Sequence, residues 1–188
     1  MALIRGINVG RAKRVAMADL REFFISLGCR DVRTVLNSGN VVFTAGRTRK
    51  EPSANQVERA MLERLGVSAR TTVLTRAAYV TVVEENTLVS VASDPARLLV
   101  AFCVNTDPLK QLRSLARSDW SPEALAVGSA AAYAWCSRGI LDSRLLGAVG
   151  RAAGDAVTTR NWATAMKIHA LLTSEPDAEK MGRRPTTG

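Results

Sequence analysis

The feature that most constrains this chain is an element order that occurs twice. From Ala2 the apolar pattern reads strand, helix, strand, strand, helix, strand, and beyond about residue 95 it reads so again. Strands alternate with period two and helices carry an apolar stripe at three- and four-residue spacing, so each switch is visible in the sequence. Ala2 to Val9 predicts a strand. Leu20, Phe23, Phe24 and Leu27 share one face of a helix over Met17 to Leu27, which Gly28 stops. Val32 to Leu36 and Val41 to Thr44 predict a hairpin around Asn37-Ser38-Gly39-Asn40. Ser53 and Gln56 make a capping box for a helix to about Leu65, with Val57, Met61, Leu62 and Leu65 inward and Gly66 ending it. Thr71 to Leu74 predicts a fourth strand, and Thr75 caps a further helix through Glu85.

In the second run Leu98 to Val104 predicts a strand and Asp107 to Arg117 a helix, with Pro108 in its first turn. Leu125 to Val127 and Ala131 to Cys136 predict strands around Gly128. Ser143 to Val149 predicts a helix, Ala156 to Thr158 a short strand, and Asn161 to Leu172 a last helix. The order βαββαβ is that of a ferredoxin-like plait. The expected fold class is therefore α+β: two ferredoxin-like α/β-plait subdomains over residues 1–90 and 96–173, with an added C-terminal helix. Residues 174–188 hold Pro176, Gly182 and Pro185 without apolar periodicity and read as a disordered tail. The first and third strands of a plait are expected to run parallel. That would put the loop after the first strand and the hairpin before the third at opposite ends of the sheet.

Hydrophobic residues make up 47% of the 188, enough to fill a core, so global disorder is not expected. The net charge of +9 favours anionic partners: a phosphorylated small molecule, a nucleotide or nucleic acid. The cations are spread along the chain apart from short runs such as Arg11-Ala12-Lys13-Arg14, so a solvated basic surface accounts for them equally simply. The three cysteines form no CxxC pair; Cys103 and Cys136 sit in apolar runs as reduced core residues of a cytoplasmic protein, and Cys29, near a helix end, is expected to be more exposed. No apolar run approaches the roughly 20 residues that span a bilayer. His169 is the only histidine, so zinc, haem and Ser-His-Asp chemistries lack their parts, and no metal site is expected.

Three polar stretches interrupt these patterns. In the last, Thr158, Thr159, Arg160, Asn161 and Trp162 precede the final helix. Asn161 is its natural N-cap, free N–H groups and the helix dipole favour an anion there, Arg160 supplies a forked cation and Lys167 follows along the helix. As a purely structural reading, Asn161 merely caps and Arg160 is solvated or paired. In the first, Arg5, Gly6, Asn8 and Gly10 sit beside Lys13; the glycines permit close backbone approach but make neither a dinucleotide fingerprint nor a phosphate loop. The middle stretch, Asn37, Ser38, Gly39 and Asn40, reads by itself as a hairpin turn.

Together these stretches resemble a known family. Ala2-Leu3-Ile4-Arg5-Gly6-Ile7-Asn8-Val9-Gly10, Met17-Ala18-Asp19-Leu20, Val32 to Phe43 with its Asn-Ser-Gly-Asn core, and Thr158 to Trp162 with Thr164 and Lys167 are similar to the signature of the bacterial DUF1697 family. The resemblance implies a pair of α/β-plait subdomains and no established activity. It promotes Asn37 to Asn40 from turn to candidate site. Two departures stand out. Met1 comes almost at once, where family members usually carry several more residues, so a shortened or displaced first strand is expected; and Ala163 replaces an Asn that commonly follows the Trp. The sequence names no catalytic residue and no cofactor. It leaves three functions open: binding of a phosphate-bearing ligand, nucleotide or nucleic acid through Arg5, Asn8, Lys13, Asn37, Asn40, Arg160 and their neighbours; an enzyme acting on a phosphorylated small molecule by positioning and electrostatics; and an interaction module whose motifs are structural.

Overall fold

One-residue alternation along two central strands decides how the layers stack. In the computed structural model, which describes residues 1–8, 14–46 and 51–174, the chain forms two four-stranded antiparallel sheets. The first half runs β1 (Ala2–Ile4), α1 (Met17–Ser26), β2 (Arg30–Val35), β3 (Asn40–Thr44), α2 (Ala54–Leu65), β4 (Thr71–Val73) and α3 (Arg76–Glu84). The second runs β5 (Leu98–Cys103), α4 (Asp107–Leu115), β6 (Ala124–Val127), β7 (Ala131–Trp135), α5 (Arg144–Ala153), β8 (Val157–Asn161) and α6 (Trp162–Thr173). Strand orders are β2-β3-β1-β4 and β6-β7-β5-β8, the plait arrangement twice. This is an α+β fold of two ferredoxin-like subdomains.

In β1, Ala2 and Ile4 face α1 and α2 and join Leu20, Phe23, Phe24, Val57 and Met61 in one core. In β5, Leu99, Ala101 and Cys103 face α4 and α5 and join Leu109, Leu112, Leu145 and Val149 in another. The intervening residues point the opposite way: Leu3, Leu98, Val100 and Phe102 meet Tyr79 and Val82 of α3 and Trp162, Ala165 and Ile168 of α6 in a third, shared core. Strand side chains alternate between faces, so each central strand serves two cores at once. The Tyr79 ring stacks on Phe102 with centroids 5.4 Å apart, and its hydroxyl donates to the Ala165 carbonyl at 2.9 Å. The Tyr133 hydroxyl donates to the Val82 carbonyl at 2.7 Å. A buried tyrosine needs such a partner for its hydroxyl, and both find it across the subdomain boundary.

The local signals act as expected in several places. Ser53 and Gln56 close the capping box of α2, and Gly66 ends that helix in a left-handed conformation with φ +62°. Thr75 and Ser143 cap α3 and α5. Other expectations need correction. β1 stops at Ile4 rather than Val9, because the chain turns at Gly6 (φ +73°) and Asn8 (φ +59°). β8 runs on to Asn161, since β5 is long enough to pair it through Leu99. α5 continues to Ala153, which extends the buried spacing of Leu145 and Val149 despite two helical glycines. Leu62 faces solvent and Ala60 takes the inward position on α2. Cys29 is buried, as are Cys103 and Cys136, and all three thiols are free.

The strand directions also differ from expectation. β1 and β3 are antiparallel, with Ala2 opposite Val41 and Leu3 opposite Asn40. The β-α-β crossover makes β1 and β2 parallel, and the hairpin then reverses β3. The end of β1 and the β2–β3 turn therefore lie at the same end of the sheet. Gly10, Lys13, residues 47–50 and the tail from 175 lie outside the described residues.

Candidate functional site

Arg160 sits next to the C-terminal end of β8, opposite Val100, and its side chain reaches into the first subdomain. Its Nε donates to Asn40 Oδ1. Its Nη2 donates to the carbonyls of Ile4 at 2.8 Å and Ser38 at 2.9 Å, and its Nη1 to the carbonyl of Thr159 at 2.8 Å. A guanidinium has five N–H groups, so one Nη1 hydrogen remains uncommitted. Burial lowers the Arg160 pKa from 12.5 to about 10, with Tyr79 acting in the opposite sense. The group stays charged at neutral pH, and its positive charge is met by oriented carbonyl dipoles.

Asn40 faces Arg160 from the start of β3 with no exposed surface. Its Nδ2 donates to the Val35 carbonyl at 2.8 Å and to Ser38 Oγ at 3.0 Å, which fixes its oxygen toward the guanidinium. Gly39, at φ +75°, brings the turn against β1; a Cβ there would lie 2.9 Å from the Ile4 carbonyl oxygen and from Ile7 Cδ1. Glycine is the residue this close approach allows. Thr158 Oγ1 and Thr72 Oγ1 lie 3.0 Å apart where β8 and β4 meet, both in buried residues. Arg5 pairs with Asp155 at 2.9 Å and donates to the Gly154 carbonyl at 2.9 Å. All three polar stretches thus meet, and Arg5, Ser38, Asn40, Thr158 and Arg160 join the two subdomains.

At the start of α6 the structural reading accounts for what is seen. Asn161 caps through its Oδ1, which accepts the N–H of Thr164 at 2.9 Å, and the Ala163 N–H donates to the Pro95 carbonyl. Trp162 is packed into the shared core, Thr159 is exposed on β8, and Lys167 is exposed on α6.

Asn8 behaves differently. Its Oδ1 accepts the Val15 N–H at 2.7 Å, and its Nδ2 donates to the Val15 carbonyl at 2.9 Å and the Asn37 carbonyl at 3.0 Å. It ties the two ends of the intervening segment together and presses them against the β2–β3 turn. A cleft of about 620 Å³ opens there, lined by Asn8, Arg14, Val15, Ala16, Met17, Asp19 and Asn37. It lies at the N-terminus of α1, where Ala16 occupies the N-cap position and has no side chain to cap the helix. Among the described residues, α1 and α4 start without a side-chain cap bond, whereas α2, α3, α5 and α6 each have one. Arg14 was visible in the sequence as part of a basic run; its position beside the uncapped turn was not. Thr72 and Asp155 carried no local signal at all.

Arg14, Asn37, the start of α1 and one carboxylate, Asp19, line this cleft, while both amide hydrogens of Asn8 are already taken up by the Val15 and Asn37 carbonyls. Such a set suits recognition of an anion by charge and hydrogen bonds. Among the described residues, no group of three or more His, Cys, Asp or Glu could hold a metal ion, and no helix is long and apolar enough to cross a membrane.

Comparison with known proteins agrees with this architecture. The family model described as "Protein of unknown function (DUF1697)" matches residues 1–133. A conserved bacterial protein from Streptococcus pneumoniae, SP0830, has a similar solved structure. Its TM-score is 0.68 at 23% identity, over 91% of this chain and 96% of that one, which is a likeness of fold. No curated protein matches.

Proposed function

The chain belongs to the DUF1697 family, and on that premise we propose that it binds a phosphate-bearing ligand in the cleft at the α1 N-terminus. The observation that carries this reading is a helix start with no side-chain cap among the described residues, beside a cleft lined by Arg14 and Asn37 that Asn8 holds in shape. The free N–H groups of a first helical turn, together with the positive end of the helix dipole, favour an anion. Arg14 adds a fork that matches a phosphate's geometry. The remaining signature residues act at one remove. Arg160 and Asn40 hold the β2–β3 turn in place, the turn presents Asn37, and Asn37 anchors Asn8. Asp19 opposes charge on the ligand and restricts how deeply a polyanion can enter.

The test is isothermal titration with inorganic phosphate and with mononucleotides, on the wild type and on Arg14→Gln and Asn37→Ala. Saturable binding weakened at least about tenfold by Arg14→Gln, the loss expected when a charge-assisted contact of roughly 1.5–3 kcal/mol is removed, supports the proposal. Binding that is absent, or indifferent to Arg14, sinks it.

A further inference from the structure

A second cleft system lies in the other subdomain, between the end of α4 and the start of α5. Three clefts of about 510, 370 and 300 Å³ share one wall, Trp120. The ring is fixed from behind: its Nε1 donates to the Leu115 carbonyl at 2.9 Å, while the residue stays half-exposed. Leu141 shares the middle cleft with Trp120 and is 98% exposed, on a loop that passes through Gly139 at φ +112°. Leu141 and the anchored indole of Trp120 line one cleft and together give it an apolar surface open to solvent.

Charge is arranged at the edge of the same surface. Arg138 and Arg144 line the largest cleft, both exposed and with no ion-pair partner among the described residues. Gly147 lines the middle one from α5; a Cβ there would meet only the end of the Arg151 side chain, at 3.5 Å. Glycine inside a helix costs about 0.5–1 kcal/mol relative to alanine, and here it keeps the cleft wall low. Three carboxylates share these walls. Asp119 accepts the Ser121 N–H at 2.9 Å; Glu123 accepts the Leu145 N–H at 3.1 Å through Oε2, while its Oε1 is buried without a partner among the described residues; Asp142 is exposed. Their presence disfavours a heavily charged ligand.

We propose that this cleft binds a nucleoside monophosphate, with the base between Trp120 and Leu141 and the phosphate against Arg138 and Arg144. Stacking on an indole is worth about 1–3 kcal/mol per base and tolerates any base, because every base has a π-face. The site is distinct from the α1 cleft and stands or falls independently of it.

The test is tryptophan fluorescence excited at the red edge of the indole band, titrated with adenosine and uridine 5′-monophosphates. Trp135 and Trp162 are buried, so Trp120 is the ring positioned to report. The expected result is saturable quenching by both nucleotides, weakened at least about tenfold in the double variant Arg138→Gln/Arg144→Gln and unchanged in Arg14→Gln. Both arginines are exposed, so the double variant should fold; its unfolding curve checks this. Inorganic phosphate alone should not quench. No saturable quenching with either nucleotide, quenching indifferent to the two arginines, or quenching removed by Arg14→Gln would each overturn the proposal.

Discussion

Replacing Arg160 with methionine removes the guanidinium while keeping much of the side chain's bulk, and the structure allows the cost to be worked out. Four acceptors lose their donor: Asn40 Oδ1 and the carbonyls of Ile4, Ser38 and Thr159. Thr159 is exposed and Ser38 partly so, and water can replace the arginine there. Asn40 and Ile4 have no exposed surface, so their oxygens are orphaned. An unsatisfied buried acceptor costs about 1–3 kcal/mol, giving roughly 2–6 kcal/mol for the pair. Methionine also relieves the desolvation of a buried charge, which returns part of this. A net loss of about 3 kcal/mol is expected, and at about 2–4 °C per kcal/mol for a chain of this size the Tm should fall by roughly 6–12 °C. Urea unfolding followed by circular dichroism measures the loss directly. Arg160→Lys should fall between wild type and methionine, because an ammonium keeps the charge but cannot span acceptors arranged for a planar fork. A methionine variant with a Tm within about 1 °C of wild type would refute the idea that this residue fastens the two halves.

Three further outcomes follow from particular contacts. Gly39→Ala should destabilise by about 2–4 kcal/mol, since it adds a clash with the Ile4 carbonyl to a positive φ, whereas Gly150→Ala, with nothing within 4 Å of the new Cβ, should stabilise by about 0.5–1 kcal/mol; thermal melts of the two variants should move in opposite directions. The Thr72→Val/Thr158→Val double variant should cost about 1 kcal/mol less than the sum of the two single variants in a urea-unfolding cycle. Burial raises the pKa of all three thiols, that of Cys103 to about 11, so a thiol-specific disulfide reagent at pH 8 should label the native protein slowly and the urea-unfolded protein fast.

Much of the fold was legible because its signals are local. Ser53 and Gln56 are three positions apart, and a helix start can be read from that spacing alone. The same holds for Gly66 and for the alternation of β5. The failures share a different cause. Leu62 fits the helical stripe of α2 as well as Ala60 does, and only the shape of the neighbouring sheet decides which is inward. Arg160 belongs to a stretch that looked like a helix entrance, yet the partner strand β5 draws it into the sheet. Its acceptors at Ile4, Ser38 and Asn40 lie 120 or more positions away. No window along the chain contains both ends of that contact. The convergence of the three polar stretches was therefore invisible until the strand directions were known, and it turned on β3 being antiparallel to β1.

The shared core has a consequence for how this molecule is made. A ribosome delivers β1 to α3 first, yet one face of that first sheet is covered by residues of β5 to α6, and Arg160 arrives only after β5, β6 and β7. Until then the Leu3 and Tyr79 surface has no neighbour to cover it. The first half must wait, apolar side bare, for the length of the second half's synthesis, which is the interval in which holdase chaperones act on a nascent chain. Substitutions that weaken the middle layer should thus lower yield in the cell before they measurably impair the finished protein.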